Sequence, residues 1–185
     1  LVFPAHYMEF RYLMQEAMER AKELIPEVGR DYKKRFGLTG LDFLETYRCE
    51  DAEMIILTMG TMGVEARISV DRLREKGIRA GVARLRVFRP FPVEHIRRLA
   101  EEAEMLTIID RHISYGAEGA LAMETKWALC ALDERPPMTS FIAGIGGRDV
   151  TYKDIERMAS KAYEWMRAGE PREGVWYGVR GLELP

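Results

Sequence analysis

Four apolar runs, each followed by a glycine or proline turn and a stretch of helical periodicity, constrain this chain more than any other feature. Met54–Ile55–Ile56–Leu57–Thr58–Met59 is almost unbroken in its apolarity, as a strand buried on both faces should be. It passes through Gly60–Thr61–Met62–Gly63 into a helix that reaches Lys76, with Gly77 as the stop. Residues 78–87 read as the next strand, apolar at Val82, Leu85 and Val87 and broken by Phe88–Arg89–Pro90–Phe91–Pro92. A helix from Val93 then carries Ile96, Leu99, Ala100 and Ala103 inward. Leu106–Thr107–Ile108–Ile109–Asp110 is a third buried strand, and the loop 111–119 leads to a helix with Leu121, Thr125, Ala128 and Leu129. Met138–Ile142 forms a fourth strand, ending in the glycine turn Gly144–Ile145–Gly146–Gly147–Arg148–Asp149. Thr151 and Asp154 make a T-x-x-D start for a last helix, striped with Ile155, Met158, Ala159, Ala162, Tyr163 and Met166. Residues 41–47 add a short edge strand. Strand and helix in alternation, with short connections, mean an open, mostly parallel sheet with helices on both faces.

Ahead of this core lies an arm. From Phe10 the apolar positions run Leu13, Met14, Ala17, Met18, Ala21, Leu24, Ile25 and Val28, a helical stripe held for about five turns. Pro26 and Gly29 are expected to end or kink it, and Gly37 and Gly40 mark a looser join. Such a stripe lies either on its own domain or on a partner or preceding domain, and its length favours a contact beyond its own sheet. The expected division is an arm and linker over 1–40, an α/β domain over 41–168 and a C-terminal strap over 169–185. The first residue is Leu1, which reads as a start inside a longer protein or after processing.

Composition narrows the function classes. The 28 basic and 30 acidic residues leave a net charge of −2, so nucleic-acid binding is not the default. The two cysteines, Cys49 and Cys130, exclude a disulfide scaffold, a Cys-rich zinc site and a self-contained iron–sulfur cluster. No signal peptide, lipidation motif or membrane-length apolar run is present, and a cytoplasmic location is expected.

Doubly wound sheets place their sites on loops after the strands' carboxyl ends. The G-x-x-G of Gly60–Gly63 lacks the third glycine of a dinucleotide fingerprint and is better read as a tight turn. His112 sits at a strand end, where an acid or base belongs, but no second His, Cys or Ser completes a triad, so a loop or interface histidine is the better reading. Asp110 with Arg111 reads as an ion pair or a cap. Residues 67–111 hold eleven basic against seven acidic residues, and Arg84, Arg86 and Arg89 gather at one strand end. Their forks suit phosphate or carboxylate, though pairing with this chain's glutamates or another chain is the commoner use. The candidate rim, for a ligand or an interface, is therefore Thr61, Arg84, Arg86, Arg89, Arg111, His112 and Arg148. No residue is assigned a catalytic or metal-binding role.

Four ordered motifs carry a family likeness: Leu57–Gly60, Arg84–Pro92, Ile109–Gly119 and Phe141–Thr151. Together with Tyr7–Tyr12 and Tyr47–Ala52 they resemble the second domain of the alpha subunit of 2-oxoacid:ferredoxin oxidoreductases, of the pyruvate synthase type. The resemblance implies a transketolase C-terminal-like, three-layer α/β/α fold with a five-stranded sheet of order 1-3-2-4-5, strand 1 antiparallel. Its crevice would lie near Gly60–Thr61 and Arg111–His112.

The resemblance also implies an enzyme that oxidatively decarboxylates pyruvate or a related 2-oxoacid to acyl-CoA and CO2, passing electrons to ferredoxin. Its complex would use thiamine diphosphate, Mg, iron–sulfur clusters and coenzyme A. Its partners would be a preceding thiamine-pyrimidine-type domain and further oxidoreductase subunits, with ferredoxin reached indirectly and neither nucleic acid nor membrane involved. This chain has no G-D-G with a following Asn, and no cysteine cluster, so no cofactor is expected within it. It reads as a structural and assembly domain, inactive alone. The alternative is a stand-alone nucleotide- or phosphate-binding α/β module.

Overall fold

A computed structural model describes residues 3–37 and 42–184. The chain divides into two compact units, Leu1–Leu44 with Arg86–Pro92, and Glu45–Leu85 with Val93–Pro185.

In the first unit a single helix, α1, spans Pro4–Phe36 with no buried residue. It continues through Pro26 and Gly29, where the apolar stripe was expected to break. A proline forfeits one backbone bond, and here helix formers on both sides (Ala21, Lys22, Glu23; Lys33, Lys34, Arg35) carry the helix across it. The stop comes at Gly37, whose φ of 69° lets its N–H turn back onto the Lys33 carbonyl. Gly40 and Leu41, expected in the join and the edge strand, lie outside the described residues. In the same unit Arg86 N–H donates to the Phe43 carbonyl at 2.8 Å.

The second unit holds the sheet. Its elements follow in the order β1 (Leu44–Tyr47), β2 (Met54–Met59), α2 (Met62–Glu75), β3 (Ala80–Leu85), α3 (Val93–Glu102), β4 (Met105–Asp110), α4 (Ala120–Leu129), β5 (Met138–Ile142), α5 (Tyr152–Arg167) and β6 (Val175–Trp176). The spatial order is β1-β3-β2-β4-β5-β6. The pairings β3-β2, β2-β4, β4-β5 and β5-β6 are parallel, and edge strand β1 makes the one antiparallel pair. The expected order 1-3-2-4-5 is present, with one strand more. The sixth comes from the strap: Val175 pairs with Phe141 and Trp176 with Ile142. Two residues of pairing leave too short an apolar pattern to read as a strand.

Burial explains why this sheet forms. Met54 to Leu57 in β2, and Leu106, Ile108 and Ile109 in β4, are fully buried. Such strands need helices on both faces, and α2 packs with α5 while α3 packs with α4. Buried Thr58 satisfies its hydroxyl by donating to the Ile109 carbonyl at 2.8 Å, a second tie between β2 and β4. Glu156 of α5, 7% exposed, joins α5 to α2 by accepting from Arg72 at 2.5 Å and Lys76 at 2.6 Å. The T-x-x-D start of α5 forms as expected, with the Thr151 N–H donating to Asp154 Oδ2 at 2.9 Å. Among the described residues no helix is long and apolar enough to cross a membrane.

Candidate functional site

The carboxyl edge of the sheet is built by the loops after β2, β4, β5 and β6, and the fold reverses direction between β2 and β4. After β2, Gly60 takes a φ of 63° and turns the chain into α2. Thr61 precedes the first turn of α2 with helical φ and ψ and an exposed side chain, and its carbonyl accepts the Val64 N–H at 3.0 Å. The Gly60–Gly63 segment is a tight turn whose Gly63 abuts the Arg84 side chain: a Cβ there would fall 2.4 Å from Arg84 Cδ.

After β4, Asp110 is a cap. Its carboxylate, 1% exposed, accepts the Leu121 N–H of α4 at 2.6 Å and the His112 N–H at 3.1 Å. Burial pushes its pKa above the ordinary Asp range, against the opposing pull of those backbone donors. Gly119 closes over it, since a Cβ at that position would lie 2.4 Å from Asp110 Oδ2. Farther along the loop, Glu118 accepts from Lys126 and from the Ser140 hydroxyl, and Ser140 in turn accepts the Gly174 N–H at 2.7 Å. The loop after β4, strand β5 and the strap are thereby held as one piece. His112 and Arg111 have exposed side chains.

After β5, Gly144 has a φ of 73° that only glycine adopts easily, and a Cβ would lie 2.8 Å from both Arg111 Nε and Val150 Cγ2. Arg111 therefore lies directly against the Gly144 backbone. Arg148, at the end of the same turn, donates to the Gly178 carbonyl of the strap. The ends of β5 and β6 enclose a cleft of about 400 Å³ lined by Ala143, Gly144, Ile145, Arg148, Trp176, Tyr177, Val179 and Arg180 together with Ile142. The Tyr177 hydroxyl is held outside the apolar wall by donating to Asp154 at 2.8 Å and accepting from Arg157 at 3.1 Å.

The expected rim thus separates into groups. Arg111 and Arg148 come together around Gly144. Thr61 and His112 follow the neighbouring strands β2 and β4. Arg84 spends its charge within the sheet on Glu45, which also accepts Arg67. Arg86 and Arg89 belong to the other compact unit. There the Arg89 guanidinium stacks 4.3 Å from the Phe88 ring centroid and donates to the Phe88 carbonyl at 3.0 Å. β3 ends at Leu85, so strand alternation does not extend to Arg86. Trp176, Tyr177, Val179 and Arg180 carry no motif in the sequence, where the strap is legible only as a stretch rich in Gly, Glu and Trp/Tyr.

Among the described residues no three His, Cys, Asp or Glu side chains gather as a metal site requires. Cys49 is buried, with its thiol raised to about 11 chiefly by desolvation, and Cys130 is exposed. Among the described residues, that donor set does not fit a magnesium centre or an iron–sulfur cluster.

The architecture defines a doubly wound α/β domain of the transketolase C-terminal kind. A split-gene transketolase, solved as an inactive beta4 tetramer, shares the fold at a TM-score of 0.50 and 17% identity, over 65% of this chain and 41% of that one. The chain belongs to the pyruvate:ferredoxin oxidoreductase core domain II family, whose model matches residues 52–155. It is 43% identical over 181 residues to pyruvate synthase subunit PorA of Pyrococcus abyssi, covering 97% of this chain and 46% of that one. It is 38% identical, over the same extent, to ketoisovalerate oxidoreductase subunit VorA of Pyrococcus horikoshii. The likeness drawn from the four motifs is borne out at family level. The chain spans about half the length of the curated relatives it matches.

Proposed function

We propose that this chain is the C-terminal structural and assembly domain of the alpha subunit of a thiamine-diphosphate-dependent 2-oxoacid:ferredoxin oxidoreductase. The observation that carries the reading is a match across 97% of this chain to subunits of a pyruvate synthase, combined with coverage of only 46% of that relative. The parent reaction is oxidative decarboxylation of a 2-oxoacid to acyl-CoA and CO2, with electrons delivered through iron–sulfur clusters to ferredoxin. Thiamine diphosphate with Mg would supply the carbanion chemistry from a preceding pyrimidine-type domain and another subunit, in the cytoplasm. This chain's own residues serve architecture. Asp110 orders the loop after β4, Gly144 seats Arg111, and the strap locks β5 through Ser140. Within this reading the division is an arm over 1–40, a core over 41–168 and a strap over 169–185, with Thr61, Arg111, His112 and Arg148 as the candidate rim for a ligand or a subunit, Arg84 held by Glu45, and Arg86 and Arg89 candidates within the other compact unit.

The test is an activity assay on the purified chain, supplied with thiamine diphosphate, magnesium, coenzyme A and either pyruvate or the branched 2-oxoacid of valine. No coenzyme-A-dependent dye reduction is expected from the chain alone. Activity is expected when the chain is part of its full-length subunit, co-expressed with the other subunits. Turnover by the chain alone, or full activity of a complex from which residues 42–184 are deleted, overturns the reading.

A further inference from the structure

The cleft at the carboxyl ends of β5 and β6 has no task in the function proposed above. We propose that it binds a nucleoside phosphate, with the base on Trp176 and the phosphates on Arg148 and Arg180. Three observations meet there. The first is size: about 400 Å³ lies within the range of small-ligand sites, and the walls are mainly apolar. The second is charge. The lining carries two guanidinium groups and no carboxylate, and Arg111 lies against Gly144 at the margin. Guanidinium forks match phosphate oxygens in geometry as well as in sign. The third is a flat, partly uncovered floor. Trp176 is 39% exposed, flanked by Ile145 at 38% and Val179 at 39%. Single exposed apolar residues are ordinary; three around one cleft, beside cations, ask for a ligand with a planar apolar part and an anionic part.

The backbone supports this assignment. Gly144, which lines the cleft, presents no side chain to it. Farther along the same turn, a Cβ at Gly146 or Gly147 would meet nothing within 4 Å. The position obeys the general rule for open α/β sheets, whose ligands approach the carboxyl ends of parallel strands. The site differs from the Gly60–Gly63 turn, where Arg84 occupies the space beside Gly63. The Asp154 carboxylate, which accepts from the lining residue Tyr177, is taken up by that hydroxyl and by the Thr151 cap. Arg148 keeps one donor on the Gly178 carbonyl, which fixes its guanidinium at the rim before any ligand arrives.

The experiment is isothermal titration of the intact chain with ADP, inorganic pyrophosphate and adenosine in separate runs. ADP is expected to bind saturably, one per chain. Pyrophosphate and adenosine, each offering half of the recognition, should bind at least about tenfold more weakly. Arg180→Met and Trp176→Leu should each weaken ADP about tenfold or more, at the level of one lost charge-assisted or stacking contact. Arg148→Met should do the same, and because it also frees the Gly178 carbonyl, its folding is checked by circular dichroism. Should a variant not fold, amide shifts of the unmodified chain on adding ADP must cluster at 143–148 and 176–180. The proposal is overturned by absent ADP binding at millimolar concentration, as expected if the surface instead receives another protein subunit. It is equally overturned by binding that Arg180→Met and Trp176→Leu leave unchanged, or by pyrophosphate binding as tightly as ADP. None of these results depends on a 2-oxoacid or on the longer subunit, so the outcome is separate from the test of the parent function.

Discussion

Asp110 and Gly119 offer a quantitative test of how the carboxyl edge is held. The Asp110 carboxylate lies where β4 ends and satisfies the buried Leu121 N–H at 2.6 Å and the part-buried His112 N–H at 3.1 Å. Asp110→Ala leaves the first of these donors without a partner. Losing such a cap costs typically about 1 kcal/mol, and a fully buried orphan N–H about 1–3 kcal/mol. Relief of the buried carboxylate offsets part of this, because burial holds the Asp110 pKa above its ordinary value. The balance is a loss of about 2 kcal/mol. Asp110→Asn keeps one acceptor oxygen for Leu121 and removes the charge, so its cost should stay under about 1 kcal/mol. With a urea m-value of about 2 kcal/mol/M, the alanine variant's midpoint should fall by about 1 M.

The companion change is Gly119→Ala. Gly119 has an ordinary φ of −65°, so an added Cβ brings no backbone strain; its difficulty is the Asp110 side chain, 2.4 Å away at Oδ2 and 2.5 Å away at both Cβ and Cγ. Overpacking of that kind costs about 1–3 kcal/mol. In the double variant the Oδ2 and Cγ contacts, and the cap they carry, are already gone, and only the position-110 Cβ at 2.5 Å still meets the new methyl, so the second substitution should cost less than it does in the parent chain. The cycle should show a coupling of about 1 kcal/mol or more, against the few tenths expected of independent sites. Urea unfolding of the four proteins measures it. Additivity within those few tenths, or an Asp110→Ala variant as stable as the parent chain, would refute the capping argument.

Three further outcomes follow from the same geometry. Lys76, and then Arg72, hold the Glu156 carboxyl below the usual Glu range, so its contribution is complete above the unfolded value of about 4.3 and is lost as pH falls through the lower folded value; Glu156→Gln should flatten that acid limb in thermal melts from pH 3 to 6, and an unchanged limb counts against the α2–α5 link. Gly144→Ala, with φ at 73° and Arg111 and Val150 each 2.8 Å from the new methyl, should cost more than Gly146→Ala, which has φ at 70° and open space, by about 1–2 kcal/mol in chemical denaturation; equal costs would show that Arg111 does not occupy the place assigned to it. Exposed Cys130 should react with a thiol reagent at neutral pH while Cys49, raised to about 11 and buried, reacts only on unfolding, and two fast thiols by mass spectrometry would contradict the burial of β1's flank.

The parts of the fold that were legible in the sequence share a physical cause. β2 and β4 are buried on both faces, so each appears as a compact apolar run; β5, polar at Thr139 and Ser140, is still bounded by Pro137 and the glycine turn, and its expected bounds are those it has in the structure. The α5 start was legible because its signal is local: Thr151 and Asp154 interact across three residues. Local rules were also where the reading of α1 was too strict. Proline and glycine penalties act at single residues, whereas a helix of 33 residues depends on the formers on either side.

The cleft illustrates the opposite limit. Its walls come from 142–148 and from 176–180, and nothing local relates them. They meet because Phe141 pairs with Val175 and Ile142 with Trp176, a register set by the Ser140 hydroxyl on the Gly174 N–H and by Arg172 donating its N–H to Thr139 and accepting that of Ser140. Arg148 could be picked out as a cation on a glycine turn; Trp176 and Arg180 acquire meaning only through that pairing. Arg84 shows the same dependence in reverse. An arginine at a strand end looks available in the sequence, but a glutamate 39 positions earlier, on the antiparallel edge strand, takes its charge. Which arginines remain for a ligand is therefore decided by strand register, and a change that slips β6 by one residue should abolish ADP binding while leaving the Arg84–Glu45 pair intact.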